Sequence, residues 1–396
     1  MSKSIDFLII GAGIMGLSMA RALRQKYPLA KILILEKEEG IARHASSRNS
    51  GILHAGFYYS ADSLKARFTI QGNRAMKAYC RAKGLPLNEC GKLVVAQNAE
   101  EIPRLHELEQ RGKKNGALVR IIENEEARQL EPNVKTYKFA LYATETASID
   151  PEKVCQALSN DLIQEGVTFR FQSSYLGRNK NAILTPQGDM AAGKIINCAG
   201  LYADKIAHDF GFGLRYTMIP FKGLYLKYTK NNTDIRMNIY PVPNLQNPFL
   251  GVHFTKGVDG SIKIGPTAIP AFWRENYQGF SRFRLEEFLK ILFYESKLFL
   301  FNKSGFRNLA WEETKKYTKS YFIRLAANMV KNIDPLGFTE YTPPGIRAQL
   351  LDRITLQLVQ DFVVEGDRLS THVLNAVSPA FTCAFPFAEY MVENLL

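Results

Sequence analysis

Residues Ile5–Gly16 read IDFLIIGAGIMG, an apolar run that closes on Gly11, Gly13 and Gly16 in the spacing G-x-G-x-x-G. The run predicts a buried parallel strand, and Ile14 to Lys26 predicts the helix that follows. Gly11 permits the tight turn, Gly13 lets a pyrophosphate approach the backbone, and Gly16 lets helix and strand pack closely. The helix start offers free N–H groups and a positive dipole end to phosphates. A second strand, Lys31–Leu35, ends at Glu36, which stands 20 residues after Gly16. That is where an acidic residue accepts hydrogen bonds from a ribose. A lone G-x-G-x-x-G often marks an ordinary turn. Strand, glycines, helix, strand and acid in this order predict a dinucleotide site.

The 396 residues make two or three domains' worth of chain. Hydrophobic residues at 46% and charged residues at 22% are ordinary for a globular protein. No apolar run reaches the ~18 residues of a membrane span. Asp6 interrupts the first apolar stretch and no cleavage site follows it, so it reads as a strand and not as a leader. The five cysteines are scattered and form no C-x-x-C pair. That predicts reduced thiols, a cytoplasmic protein and no zinc site. The net charge of +13 admits nucleic acid, an anionic membrane surface or an anionic substrate as partner. No nucleic-acid motif is present, which leaves a small anion or a surface. The basic residues are spread along the chain, although Lys315, Lys316 and Lys319 cluster, and the plain alternative is a generally basic, solvated surface.

Further along, Ile41–Tyr59 is rich in small and polar residues and too long for a simple connector, so it is expected to cover a ligand. Ser63–Lys83 carries apolar residues at helical spacing. Asp150-Pro151 starts a helix, with Asp as N-cap and Pro in the first turn. Lys194–Cys198 is a short buried strand that stops at Ala199-Gly200 before another helix. This second strand–glycine–helix approach implies a first domain completed from distant segments. Tyr216–Tyr228 and Phe249–Ile264 alternate in the manner of antiparallel sheet. Arg282–Phe301 is aromatic and amphipathic. It is expected to be a helical cap packed on the sheet, with an interfacial membrane helix as the alternative.

Several longer segments carry a resemblance. They are NSGILHAGFYYSADSLKARF at Asn49, CGKLVVA at Cys90, IYPVPNLQNPFLGVHFT at Ile239, DGSIKIGPTA at Asp259, GIRAQ at Gly345 and SPAFTCAFP at Ser378. In this order, with the glycine fingerprint, the chain resembles the FAD-dependent enzymes of the D-amino-acid oxidase superfamily. Within them it is similar to the L-2-hydroxyglutarate dehydrogenase/oxidase group. The resemblance implies an α/β fold, α+β overall. A Rossmann-like FAD domain (1–84, 148–215 and 345–396) would be joined by a mainly antiparallel substrate domain (85–147 and 216–344). It implies FAD as cofactor, held at Gly11, Gly13, Gly16 and Glu36. Ser46, Ser47, Asn49, Ser50 and Gly51 would line the flavin. Ala199 and Gly200 would sit at the adenine end, and Asn375, Ser378, Pro379 and Ala380 would close the loop under the ring. Lys222 departs from the pattern, since relatives often carry Arg there.

Oxidising a 2-hydroxy acid requires a held carboxylate, a group that takes the hydroxyl proton, and a route for the C2 hydride. A dicarboxylate asks for more than one cation. Arg347 comes first, because a guanidinium forks onto a carboxylate. Lys222 and Lys65 follow. For each the plain alternative is a surface salt bridge. His54, in a glycine-flanked loop, and His253, in GVHFT, are the candidate bases, since an imidazole titrates near neutral pH. For His253 the alternative is a hydrogen-bonded core histidine; for His54 it is a structural contact or a covalent flavin anchor. His44, His106, His208 and His372 lack comparable settings, and no histidine pair has metal-ligand spacing. The expected electron acceptor is a membrane quinone or oxygen, with peripheral attachment to the membrane's inner face. A flavin amine oxidase and a flavin-binding protein without turnover are the competing readings.

Overall fold

The computed structural model describes residues 5–179, 182–230, 235–243 and 250–396, with the side chain of residue 304 excepted. Residues 244–249 of the motif at Ile239 lie outside the described residues. The chain forms two compact units. The first comprises Met1–Asn49, Pro151–Pro220 and Arg347–Leu396, and the second Ser50–Asp150 and Phe221–Ile346. The fold is mixed α/β, with a Rossmann-like parallel sheet and a second, mainly antiparallel one.

In the first unit, β1 (Ile5–Ile10) leads into α1 (Ile14–Lys26) and β2 (Ile32–Leu35). β1 pairs in parallel with β2 on one side and with Met190–Asn197 on the other. Thr168–Arg170 extends the sheet beyond β2, and Ser370–Val373 pairs in parallel with the end of strand 190–197. Both flanks of the leading βαβ unit therefore come from distant sequence. Such a sheet is covered on both faces, which explains why ILIL of β2 has no polar residue. Helix Ala380–Asn394 packs along α1, where Arg21 pairs with Glu389 at 3.0 Å and Lys26 Nζ donates to Val392 O at 2.7 Å.

The second unit is built on an eight-stranded sheet. Its order is 338–341, 226–228, 262–265, 253–256, 238–241, 92–95, 139–143, 119–123. Every pairing is antiparallel except that of 238–241 with 92–95. The period of two is plain in KLVV. Leu93 and Val95 join Ile239, Phe254 and Phe338 in one core, while Val94 joins Leu105, Leu108 and Tyr240 in the other. Helix Lys319–Ala327 seals the first core with Phe322, Ile323 and Ala326. Each fully buried Leu, Ile or Phe contributes about 1.5–3 kcal/mol.

The division departs from the expected one at residues 50–84, which belong with the second unit. Strand Ile52–Leu53 pairs antiparallel with Ala147–Ile149. Asn73, on helix Leu64–Ala82, donates to Leu53 O (3.2 Å), His54 O (3.1 Å) and Glu145 O (3.0 Å). These bonds bind the segment into the second unit.

The cap expected over Arg282–Phe301 is a helix, Leu285–Phe301, but its polarity is partly inverted. Glu287 and Glu295 are buried beside Ile291, Tyr294 and Leu298, whereas Leu285, Leu289, Phe293, Leu300 and Phe301 are exposed. Only the inner face meets the packed-cap expectation. The basic cluster is also altered. Lys316 is buried against Glu313, and Lys315 pairs with Glu312 at 2.6 Å. No helix among the described residues is long and apolar enough to cross a membrane.

Candidate active site

Close contacts stand against each glycine of the loop, with backbone at Gly11 and Gly16 and with a side chain at Gly13. Gly11 has φ +106°, and a Cβ there would lie 2.7 Å from Cys198 O. At Gly16 a Cβ would lie 1.9 Å from Gly11 O, so the helix is pressed against the turn. Gly13 caps α1 without a side-chain cap, and no acidic residue stands in the first turn. A phosphate placed there would meet a helix N-terminus whose own first turn carries no carboxylate. A Cβ at Gly13 would meet Ser46 Oγ at 2.9 Å, and that same oxygen accepts from Ile14 N at 2.9 Å. Glu36 is buried and accepts from Ala12 N at 2.8 Å and from Glu38 N at 3.0 Å. Each oxygen keeps lone-pair capacity for a ribose hydroxyl. The structure thus gathers Gly11, Gly13, Gly16, Glu36 and Ser46 into one cradle that suits a dinucleotide.

Beyond it, Ser47 Oγ donates to Ala42 O at 2.6 Å, and Asn49 Nδ2 donates to Ser46 O at 2.8 Å. These two residues close the first segment of the first unit. Ser50 and Gly51 open the second unit, where Ser50 Oγ accepts from Ile52 N at 3.3 Å and Gly51 O accepts from Ile149 N at 2.8 Å. Ala199 N donates to Asn197 Oδ1 at 3.1 Å, and Gly200 turns with φ +55°. Asn375 is a brace. Its amide donates to Val359 O (3.1 Å) and Asp361 O (2.6 Å), and its oxygen accepts from Leu350 N (3.2 Å). Ser378 is exposed and joined by a cis bond to Pro379, which is buried along with Ala380 at the helix start.

The candidate reacting groups stand on different elements. His54 and Lys65 are both buried in the second unit, and Lys65 Nζ lies 6.0 Å from the Tyr59 ring. Lys222, half-buried on Tyr216–Gly223, has its ammonium pulled below the ordinary lysine range by desolvation. Arg347 is half-buried and begins the last segment of the first unit. His253 is buried at the start of strand His253–Lys256, with Nδ1 at 2.9 Å from Gly251 O. A carbonyl only accepts, so Nδ1 carries the hydrogen and Nε2 is the acceptor nitrogen of the neutral ring.

His253 also stacks on Tyr240, with centroids 3.6 Å apart and planes 14° from parallel. Lys92 Nζ lies 3.9 Å from the same Tyr240 centroid. Sequence reading passed over Lys92 and Tyr240. The available signal was a lysine opening an otherwise apolar strand, KLVV.

The FAD dependent oxidoreductase family matches residues 6–393. The L-2-hydroxyglutarate dehydrogenase of Indibacter alkaliphilus is 35% identical, covering 98% of this chain and 98% of the relative. The enzyme of that name from Escherichia coli K12 is 34% identical, covering 98% and 93%. The mitochondrial one of Bos taurus is 34% identical, covering 100% and 89%. Among solved structures, L-alpha-glycerophosphate oxidase from Mycoplasma pneumoniae, with FAD bound, superposes with a TM-score of 0.77 at 21% identity, covering 100% of this chain and 96% of that one. Glycine oxidase from Geobacillus kaustophilus gives 0.70 at 17%, covering 100% and 95%. With its glycine cradle and a family match that runs almost from end to end, this chain belongs to the FAD-dependent oxidoreductase family.

Proposed function

We propose that this protein oxidises L-2-hydroxyglutarate to 2-oxoglutarate, with FAD as its cofactor. The observation that carries the reading is likeness over nearly the whole chain to proteins bearing that activity in their names. Gly11, Gly13 and Gly16 admit the pyrophosphate to the α1 N-terminus, and Glu36 accepts from the ribose. Ser46, Ser47, Asn49, Ser50 and Gly51 line the cofactor. Ala199 and Gly200 serve its adenine end, and the loop Asn375–Ala380 its ring. When bound, FAD supplies the acceptor for the hydride that leaves C2.

The chain's own residues do the rest. Arg347 forks onto one carboxylate, and Lys222 and Lys65 provide point charges for the other. Removing these cations from water strengthens their pull on an anion. His253 Nε2 takes the hydroxyl proton, supported by the Nδ1 bond to Gly251 O, which fixes the tautomer. His54 serves as a flavin contact.

An anaerobic titration tests the reading. L-2-hydroxyglutarate should bleach the flavin of the purified protein, and glycine, sarcosine and D-amino acids should not. Bleaching by an amine in its place would make the protein an amine oxidase, and a flavin unresponsive to all of them would remove the enzymatic reading.

We further propose a membrane quinone as the acceptor, reached by reversible attachment of helix Leu285–Phe301. Supporting this, Phe280 is 84% exposed, Leu300 70% and Trp311 65%. The acids of the helix's inner face do not oppose an anionic surface. Glu287 accepts from Arg274 N at 3.0 Å, and burial raises Glu295 to about 8, which leaves it neutral at pH 7. The cations on the helix and its flanking residues are Arg284, Lys290, Lys297, Lys303 and Arg307, with Lys319 further along the chain, while Lys315 is taken up by Glu312. Each contributes about 1 kcal/mol near anionic lipid. Buried Lys316 is not among them. The protein should cosediment with phosphatidylglycerol vesicles, less so at high salt. Leu289→Ser/Phe293→Ser should weaken binding several-fold while leaving flavin reduction by substrate intact. Absence of binding at low salt would point to oxygen or a soluble carrier.

A further inference from the structure

Lys92 opens strand Lys92–Val95 at the centre of the second unit's sheet and is fully buried. Its Nζ makes no hydrogen bond among the described residues. A buried amine without such a bond is costly to keep. The faces around it are aromatic: Tyr240 at 3.9 Å, Tyr58 at 5.3 Å and Phe57 at 5.8 Å from Nζ to ring centroid. The Tyr240 ring has the His253 imidazole stacked on it at 3.6 Å. Two groups this close to one centroid cannot share a face, so Tyr240 is sandwiched between lysine and histidine. Register places them there. Asn238 stands opposite Lys92, and Ile239 opposite both Leu93 and Phe254.

We propose that Lys92 is a positioning residue for His253, its cation acting through the Tyr240 ring to hold the imidazole plane and to disfavour the protonated imidazole. A cation is attracted to the negative face of an aromatic ring. A neutral imidazole stacks on the opposite face at no electrostatic cost. Protonating it puts positive charge on both faces of one ring. The consequence for catalysis rests on the reading of His253 as the base; the coupling itself does not.

Burial pulls Lys92 to about 7, so the amine is charged in the acidic range where His253 would otherwise take up a proton. The other ionisable groups facing this stack are Cys90, beside both Lys92 and Tyr240, and Tyr58 and Tyr225, beside Tyr240. On the neighbouring strands Lys256 acts on Cys90, and Lys263 lies 5.0 Å from the Tyr225 ring.

The test is an NMR titration of the FAD-loaded protein with its histidines labelled in the ring, His253 being assigned through His253→Gln. In Lys92→Met the His253 midpoint should rise by about one pH unit, since a like charge is removed. Lys92→Arg should restore it. The acidic limb of kcat/KM should move up with the midpoint in Lys92→Met. An unmoved midpoint in FAD-loaded Lys92→Met overturns the proposal. If that variant does not fold, the wild-type protein decides. Its His253 resonance should carry a second inflection near the pH where Lys92 loses its proton, and a single smooth titration overturns the proposal. A shifted midpoint in Lys92→Met, with wild-type flavin reduction in His253→Gln, upholds the coupling and removes His253 as the base.

Discussion

Gly16→Val should yield protein that takes up no FAD. A Cβ at this position falls 1.9 Å from Gly11 O and 3.3 Å from Ile9 Cγ2. The Gly11 backbone must then shift, and with it the turn proposed to present N–H groups to the pyrophosphate. Residues 14–23 of α1 are largely buried, so the helix cannot move aside without opening the core against Ala380–Asn394. Overpacking of this kind typically costs about 1–3 kcal/mol when side chains can yield, and more against backbone. Gly13→Ala should be milder, because its Cβ meets the end of the Ser46 side chain and not backbone. Gly13→Val should still abolish binding by filling the space of the pyrophosphate. The checks are visible flavin absorbance after refolding with excess FAD, and a thermal melt of the apoprotein. A yellow Gly16→Val protein with wild-type flavin content would mean that this turn is not the nucleotide site.

Arg347→Ala should lower kcat/KM for L-2-hydroxyglutarate by about 30-fold or more while FAD content stays unchanged. Truncating one partner of a buried, hydrogen-bonded charge pair costs about 2–5 kcal/mol, much of it from the anion left unpaired. Arg347→Lys should fall between the two, because an ammonium keeps the charge and loses the planar fork. The comparison matters because Lys222, the second proposed cation, is itself an ammonium. Stopped-flow reduction of the flavin separates binding from chemistry. Wild-type saturation and rate in Arg347→Ala would show that Arg347 does not hold substrate.

Much of the fold could be read directly, and the reason is local. At Gly16 the constraint is the carbonyl of Gly11, a few residues back, so backbone sterics dictate glycine there. β2 and the second half of β1, on either side of α1, are buried on both faces and carry no alternation. Their role in a parallel sheet follows from their composition. The helix start at Asp150-Pro151 was equally legible, because a start signal lies within one turn, and the helix begins at Pro151.

The boundary at residue 84 was misplaced because what decides it is Asn73 reaching Glu145 O, a contact between residues far apart in the chain. The same holds for charge. Lys315, Lys316 and Lys319 look alike as a cluster, yet Lys316, just past the end of helix Phe306–Lys315, is buried against Glu313, while Lys319 opens the next helix and is exposed. Helix Leu285–Phe301 was legible as a helix, but which face turns inward depends on what it packs against. That contact put Glu295 inside and Phe301 outside.

By itself, then, the amino-acid sequence determined the nucleotide turn, the α/β class and the family, all carried by short-range backbone requirements and by motifs in a kept order. Only the tertiary structure decided which side chains share a site. Lys92, Tyr240 and His253 are adjacent because strand 238–241 pairs in parallel with 92–95 and antiparallel with 253–256. A shift of one residue in either register would send alternate side chains to the opposite face of the sheet. Nothing in the local sequence of any one strand encodes that alignment.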